Sequence, residues 1–233
     1  MPVNEQIISL LKNEYANFDI FPDKIESIAT FKCDCQSKCQ VNLSKEASYT
    51  PLLGDEGSKY MIVAESPSTS QGKGCFLGGR SQNTVPTKRN DNIKSFLEYV
   101  RGINDGKYPY FTDIVKCGLE QTQSKGKLTF RKRNCIEKYL IKEIQIVNPQ
   151  TIICLGSFAY NEIMTLIKNN KIDASIKVVQ IMHYSNRASL TMSIEDKMKI
   201  IWPMELDLLT VSEAKEAILQ LKHLVRKVDN LKD

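Results

Sequence analysis

Seven cysteines are the first chemistry that the sequence offers, and three of them crowd into one short polar segment. Cys33, Cys35 and Cys39 stand among Lys, Asp, Gln and Ser residues, where packing into a core does not explain them. Closely spaced thiolates suit a soft metal centre, either tetrahedral zinc or an iron–sulfur cluster. The alternative is a set of free surface thiols. Cys154 differs, because it lies in the apolar run 151–155 and is therefore predicted to be a small core residue.

Basic residues are the second feature, because they are unevenly distributed. The chain has 32 Lys and Arg against 27 Asp and Glu, a net charge of +5 that permits a polyanionic partner without demanding one. Five basic residues nevertheless fall within nine positions of each other: Lys125, Lys127, Arg131, Lys132 and Arg133.

The composition limits the classes of protein to consider. Hydrophobic residues make up 42% of the 233 residues and charged residues 25%, as in an ordinary soluble globular protein and unlike a disordered chain. No apolar run approaches the ~20 residues that span a bilayer. The first residues lack the basic and apolar pattern of a secretory signal. We therefore expect a cytoplasmic protein.

Apolar runs and helical periodicity predict the elements that must position these residues. The predicted strands cover residues 59–64, 110–115, 151–155 and 177–182. The predicted helices cover residues 5–16, 91–101, 134–147, 157–168 and 211–230. Ser157 is the expected N-cap of the fourth helix, and Thr210 with Glu213 is the expected capping box of the last. We expect a single domain spanning residues 1–233, with the first and last helices as appendages.

Strands that alternate with helices predict a parallel sheet in a layered α/β fold. In such sheets, ligands bind beyond the carboxyl ends of the strands. Those ends are residues 65–79, 113–117, 156 and 183–187, and three of the four are polar, unusual segments. The sequence therefore predicts a site at this edge of the sheet before any family is considered.

Four segments, in this order and spacing, resemble motifs of the uracil-DNA glycosylase superfamily, most closely its iron–sulfur branch. Residues 63–68 (VAESPS) resemble a G-E-A-P-G loop, and residues 76–80 (FLGGR) resemble an F-V-G-R turn. Residues 110–117 (YFTDIVKC) resemble Y-x-T-N-V-V-K-C, and residues 183–185 (HYS) resemble H-P-S. The resemblance implies a three-layer α/β/α sandwich around a mostly parallel four-stranded sheet.

The resemblance also implies a 4Fe–4S cluster that is bound by four thiolates. Cys117 and Cys135 match the third and fourth ligands of the branch. The branch spaces the first two C-x-x-C, whereas Cys35 and Cys39 are spaced C-x-x-x-C, and Cys33 is an alternative to Cys35. This change keeps zinc open as the alternative metal. We expect a structural cluster that presents the basic run 125–133 to DNA phosphates, with a merely solvated loop as the alternative.

The chemistry that the family implies is hydrolysis of the N-glycosidic bond of a base that has left the helical stack. The pocket must stabilise charge on the departing base and place a water near the sugar. Phe76 follows the glycine-rich loop and is expected to stack on the base, unless it is a core aromatic. His183 matches the histidine with which the family hydrogen-bonds the O2 atom of the base, so the resemblance implies this role for His183. The alternative is a packing role. Ser185 would support the turn or contact a phosphate.

Three more residues belong to the predicted site. Glu65 corresponds to the glutamate of the family motif and is expected to position water or the sugar. Ser66 stands where some relatives carry a water-activating Asp and the iron–sulfur branch carries Ala, so its hydroxyl is expected to hold a water. Arg187 would fill the gap that the flipped base leaves, or bind a phosphate, where the family often has Leu.

Asp113 is the most informative departure, because the family has Asn at this position. The amide of that Asn reads uracil by accepting from N3–H and donating to O4. A carboxylate cannot donate to O4, whereas it can accept from the N4 amino group of cytosine. Neutral cytosine has an acceptor at N3, so one proton must sit between N3 and Asp113.

These residues predict a DNA glycosylase for a cytosine-type base. Removal of ordinary cytosine would destroy the host's own DNA, so we expect a modified cytosine, such as the hydroxymethylated or glucosylated bases of certain phage genomes. The small, polar residues 66–74 offer space for a substituent. One alternative is a repair glycosylase for uracil or another deaminated base. Another is an inactive DNA-binding homologue, which gains weight from Ala64, Ser68 and Tyr184 in place of two glycines and a proline. We expect a monomer.

Overall fold

The computed structural model describes residues 1–11, 52–66, 88–116, 133–183 and 192–229. Within these ranges, four strands form one sheet: β1 (Tyr60–Ala64), β2 (Tyr110–Asp113), β3 (Thr151–Leu155) and β4 (Lys177–Ile181). Their order across the sheet is β2-β1-β3-β4, and all three neighbouring pairs are parallel. The predicted four-stranded parallel sheet is confirmed, with each strand within two residues of its expected end.

Helices flank the sheet on both faces. The longer ones are α1 (Val3–Leu11), α2 (Lys88–Ile103), α3 (Ile141–Val147) and α4 (Ser157–Lys168), with α7 (Val211–Asp229) near the end of the chain. A π-helix, Ile136–Leu140, runs directly into α3. Between β4 and α7 lie α5 (Ile194–Asp196), a second π-helix (Lys197–Ile201) and α6 (Trp202–Glu205). This helical run, residues 194–205, is absent from the sequence prediction.

Two hydrophobic layers separate the helices from the sheet. On one face, Met61, Tyr110, Ile152 and Cys154 pack against α1, α3 and α4. The opposite face carries the alternate residues of the same strands and packs against α2, Trp202 and α7. Because neighbouring side chains on a strand point to opposite faces, each apolar strand contributes side chains to both hydrophobic layers. The three-layer α/β/α sandwich is thus confirmed, and Cys154 is a fully buried core residue as predicted.

Helix ends show one correct prediction and one error. Thr210 and Glu213 form the predicted capping box, because the Thr210 N–H donates to Glu213 Oε2 at 2.8 Å and the Glu213 N–H donates to Thr210 Oγ1 at 3.3 Å. Ser157 is not an N-cap; it is the first residue of α4, and Gly156 is the cap. Gly156 has φ of 87°, which a residue with a Cβ adopts only with strain. The turn from β3 into α4 therefore requires glycine at the cap.

Two helices start at other residues than predicted. Helix α1 begins at Val3 rather than at residue 5, and α2 extends over Lys88–Ile103 rather than 91–101. Residues 12–16 of the first predicted helix lie outside the described residues. No helix in the described part of the chain is both long and apolar enough to cross a bilayer. That residues 1–233 form a single domain stays a prediction.

Candidate active site

The carboxyl ends of β1 and β2 bring two predicted site residues together. Ala64 and Asp113 are register partners, and the pairing continues past the strands. The Ile114 N–H donates to the Ala64 carbonyl at 2.9 Å, and the Val115 N–H donates to the Glu65 carbonyl at 3.0 Å. Glu65 therefore leaves the sheet directly beside the end of β2, where Asp113 lies.

His183 comes to the same edge of the sheet from the other side. It follows β4 by two residues and is half-buried. Since β1 and β3 lie between β2 and β4, the strand ends at Asp113 and Ile181 are separated by three strand spacings, about 14 Å. Side chains from the two ends can approach a flat ring from opposite sides across a gap of this size.

Asp113 is a buried acid. Its residue is 2% exposed, and alternation along β2 places it on the same face as Phe111, toward α2. Burial raises the pKa of Asp113 to about 8, the positive charge of Lys116 opposes this, and the carboxylates of Glu143 and Glu65 add to it. At neutral pH the side chain is therefore mostly a neutral carboxylic acid. A neutral acid presents one O–H donor and one carbonyl acceptor.

Glu65 and Ser66 occupy the chain just beyond β1. Glu65 is exposed and Ser66 is half-buried. The surrounding protein partly desolvates the Glu65 carboxyl, which raises its pKa. Both side chains are accessible to water, as their predicted role of holding a water requires.

A buried polar network lies beneath Asp113, on the other face of β2. Lys116 Nζ is 2.6 Å from Glu143 Oε2, and both side chains are fully buried. The Tyr110 hydroxyl donates to Glu143 Oε1 at 3.0 Å, and the Thr112 hydroxyl donates to Glu143 Oε2 at 3.2 Å. Lys116 also donates to Thr112 Oγ1. Three residues of β2 and its exit are thereby fixed to α3, and the backbone that carries Asp113 is fixed with them.

Sequence reasoning missed this network. Its one available signal is Glu143, which shares a helical face with the apolar residues Tyr139 and Ile144 although it is charged. A charge that periodicity assigns to the core needs a partner. The partner, Lys116, lies 27 residues away in the sequence, so spacing could not identify it.

The metal-ligand and DNA-contact predictions fall mostly outside the described residues. Cys135 is described: it is 2% exposed and immediately precedes the first π-helix. Arg133 is exposed, with Nε 3.4 Å from Glu137 Oε1. Within the described ranges no three His, Cys, Asp or Glu side chains come together as a metal site. The predicted residues that lie outside these ranges are Cys33, Cys35, Cys39, Phe76, Cys117, Lys125, Lys127, Arg131, Lys132, Ser185 and Arg187.

The comparison with known protein families covers this site. The family model of the uracil DNA glycosylase superfamily matches residues 51–204, about two thirds of the chain. The matched range contains all four described strands together with Glu65, Asp113 and His183. Helices α1 and α7 lie outside it.

Proposed function

The chain belongs to the uracil DNA glycosylase superfamily, and on this premise we propose that it excises a modified cytosine from DNA by hydrolysis of the N-glycosidic bond. Membership of the superfamily implies DNA glycosylase activity in general. The choice of base depends on one observation, the burial of Asp113 at the carboxyl end of β2.

The neutral form of Asp113 suits cytosine. A carboxylate would need an added proton to pair with N3 of cytosine, whereas a buried neutral acid brings that proton itself. Its O–H donates to N3, and its carbonyl oxygen accepts from the N4 amino group. As the glycosidic bond breaks, the proton moves from the Asp113 oxygen to N3. The base then leaves without net negative charge, and Asp113 is left as the carboxylate.

Uracil is the second candidate, and the same observation supports it. A neutral acid can also donate to O4 of uracil and accept from N3–H, as an amide does. The two bases differ in the acceptor that receives the proton, because the ring nitrogen N3 of cytosine is more basic than the carbonyl oxygen O4 of uracil. The stronger acceptor makes the stronger hydrogen bond, so we favour cytosine.

Three residues complete the proposed reaction. His183, at the end of β4, would donate to O2 of the base as electron density accumulates there. Glu65 would orient the attacking water toward the sugar carbon, and Ser66 would hold that water. Their common position at one edge of the sheet supports these roles.

A cell can tolerate a glycosylase that removes a modified cytosine, because its own DNA does not contain that base. Hydroxymethylated or glucosylated cytosine of phage genomes is absent from host DNA, so its removal would restrict the phage alone. Residues 66–74, which follow β1, contain the small and polar side chains that a sugar substituent requires. The partner that we propose is therefore modified phage DNA.

The 4Fe–4S cluster remains part of the proposal, with zinc as the alternative. Its ligands would be Cys35 or Cys33, with Cys39, Cys117 and Cys135. The ion pair of Lys116 with Glu143 supports this set, because it holds the chain just before Cys117 against the helix that follows Cys135. When bound, the metal centre would supply structural cross-linking and no step of the reaction.

A base-release assay tests the proposal. The substrates are oligonucleotides that differ only in one base: cytosine, hydroxymethylcytosine, glucosylated hydroxymethylcytosine or uracil. We expect release of a modified cytosine, none of ordinary cytosine, and loss of release in His183→Ala. Release of uracil alone would support the repair enzyme. Absence of release from all four would support the inactive DNA-binding homologue.

A further inference from the structure

The backbone just beyond β4 leaves the sheet before it reaches His183. The last hydrogen bond between β3 and β4 is the one that the Gly156 N–H donates to the Ile181 carbonyl at 3.1 Å. Met182 and His183 are both partly buried and follow Ile181 outside the strand. Polar backbone groups in such a position need other hydrogen-bond partners.

Three side chains of the helical run 194–205 supply those partners. The Met182 N–H donates to Glu205 Oε2 at 2.7 Å, and Trp202 Nε1 donates to the Met182 carbonyl at 2.9 Å. Lys197 Nζ donates to the His183 carbonyl at 3.2 Å. We call Lys197, Trp202 and Glu205 the C-terminal clamp. It holds three polar groups of the main chain, the N–H and carbonyl of Met182 and the carbonyl of His183, at the point where His183 leaves the sheet.

The C-terminal clamp is itself firmly held. Trp202 is fully buried, and its ring packs edge-on against Phe96 of α2 with centroids 4.9 Å apart. Tyr99 of the same helix lies at 5.3 Å from that ring. At the start of the run, Ser193 and Asp196 form a capping box in which the Asp196 N–H donates to Ser193 Oγ at 3.1 Å. Packing and capping thus fix both ends of the run that carries the clamp.

Burial of the two charged side chains of the clamp costs free energy, because both lose contact with water. Lys197 is fully buried and Glu205 is half-buried. Burial lowers the pKa of Lys197 and raises that of Glu205, while the attraction between the two charges opposes both changes. An apolar pair would avoid this cost. What an apolar pair could not do is donate to the carbonyl of His183 and accept from the N–H of Met182.

We propose that Lys197, Trp202 and Glu205 are positioning residues that set the direction of His183 toward the flipped base. This inference rests on the proposed function of His183. The three contacts are made to main-chain atoms, so they orient the residue without using its imidazole. A displacement of about 1 Å in an active-site group can cost about 100-fold in rate. We therefore expect Glu205→Ala and Lys197→Met to lower kcat for base release roughly 10- to 100-fold, with KM for DNA changed less than about twofold.

Matched variants separate positioning from a general loss of structure. Glu205→Gln keeps an oxygen that accepts from the Met182 N–H, so it should restore most of the rate lost in Glu205→Ala. Trp202→Phe removes the indole N–H together with one of the two fused rings, and it keeps an aromatic ring against α2. Glu195→Ala and Lys199→Met change exposed residues of the same helical run and serve as controls with unchanged rates.

A second readout does not depend on activity. The chain has two histidines, His183 and His223, and His223 is exposed on α7. In protein labelled with ¹³C and ¹⁵N at histidine, Glu205→Ala, Lys197→Met and Trp202→Phe should each shift or broaden the imidazole signal of His183. The signal of His223 should stay in place, and neither control should move either signal.

The outcomes distinguish this inference from the proposed function. Only clamp variants whose His223 signal matches that of the wild type are compared. If the His183 signal is unchanged in all of them, the inference is overturned, whatever their activity. Unchanged kcat in those variants would overturn it equally. If the clamp variants shift the His183 signal but the wild-type protein releases no base, the proposed function is defeated. The positioning of His183 by the clamp would still stand.

Discussion

Lys116 and Glu143 form a fully buried ion pair, with Nζ and Oε2 2.6 Å apart, that joins the exit of β2 to α3. The pair lies beneath the strand end that carries Asp113. The position of the proposed base-reading acid therefore depends on a charged contact between two residues that are 27 positions apart in the sequence.

Removal of one partner of this pair should be strongly destabilising. In Lys116→Met the Glu143 carboxylate stays buried without its cation, and such changes cost about 3–5 kcal/mol. The free energy of unfolding in urea measures this cost. Lys177→Met is the matched control, because the Lys177–Asp207 pair at 3.2 Å is exposed and should contribute less than about 1 kcal/mol. Equal losses in the two variants would contradict the structural role of the buried pair.

The stability of the protein should fall as pH rises from about 4 toward about 8, because Asp113 has a raised pKa. In this window the folded protein retains a proton that the unfolded chain has already lost, so folding binds a proton and alkali opposes it. The slope from this group reaches at most about 1.4 kcal/mol per pH unit. Asp113→Asn removes the ionisable group, so urea unfolding of the variant should show a flatter pH dependence. A constant difference between wild type and variant at all pH values would show that Asp113 is not a buried neutral acid.

Base release should depend on the same proton. The rate with a cytosine-type substrate should decline as pH rises through about 8, because the carboxylate that forms there has no proton to give to N3. A pH profile of kcat/KM measures this decline. The Lys199→Met control should retain the alkaline limb. A rate that stays level well above this pH would contradict proton donation by Asp113.

Cys135 should be required for metal binding. Iron and zinc analysis, together with the visible absorption that makes iron–sulfur proteins brown, identifies the metal in wild type. Cys135→Ala should lose it. Cys154→Ala is the control that keeps it, because Cys154 is a fully buried residue of β3 in the core layer that faces α1, α3 and α4. Full metal content in Cys135→Ala would remove this residue from the ligand set.

Local pattern was sufficient to predict the sheet and several helices. Short apolar runs such as 151–155 are typical of buried strands, and the spacing of Thr210 and Glu213 predicts a helix start. The helical run 194–205 was missed although Ser193-Ile194-Glu195-Asp196 carries the capping-box spacing. The error at Ser157 had another cause, because a preference for serine at N-caps says nothing about a turn that needs positive φ.

The candidate site was predictable in position but not in chemistry. Strand order and parallel pairing place Glu65, Asp113 and His183 at one edge, as alternating strands and helices predict. The protonation of Asp113 depends on burial and on Lys116, Glu143 and Glu65, which only the folded chain brings together. The C-terminal clamp is likewise a set of contacts across at least 14 residues of sequence, which no local pattern encodes.

The substitution Asp113→Asn tests the central claim most directly, because it exchanges the acid for the amide of the motif that residues 110–117 resemble. Release of modified cytosine and of uracil is measured from otherwise identical oligonucleotides, with wild type and with the variant. The account predicts that wild type prefers the modified cytosine and that Asp113→Asn shifts the ratio of kcat/KM toward uracil. An unchanged ratio would show that Asp113 does not read the base.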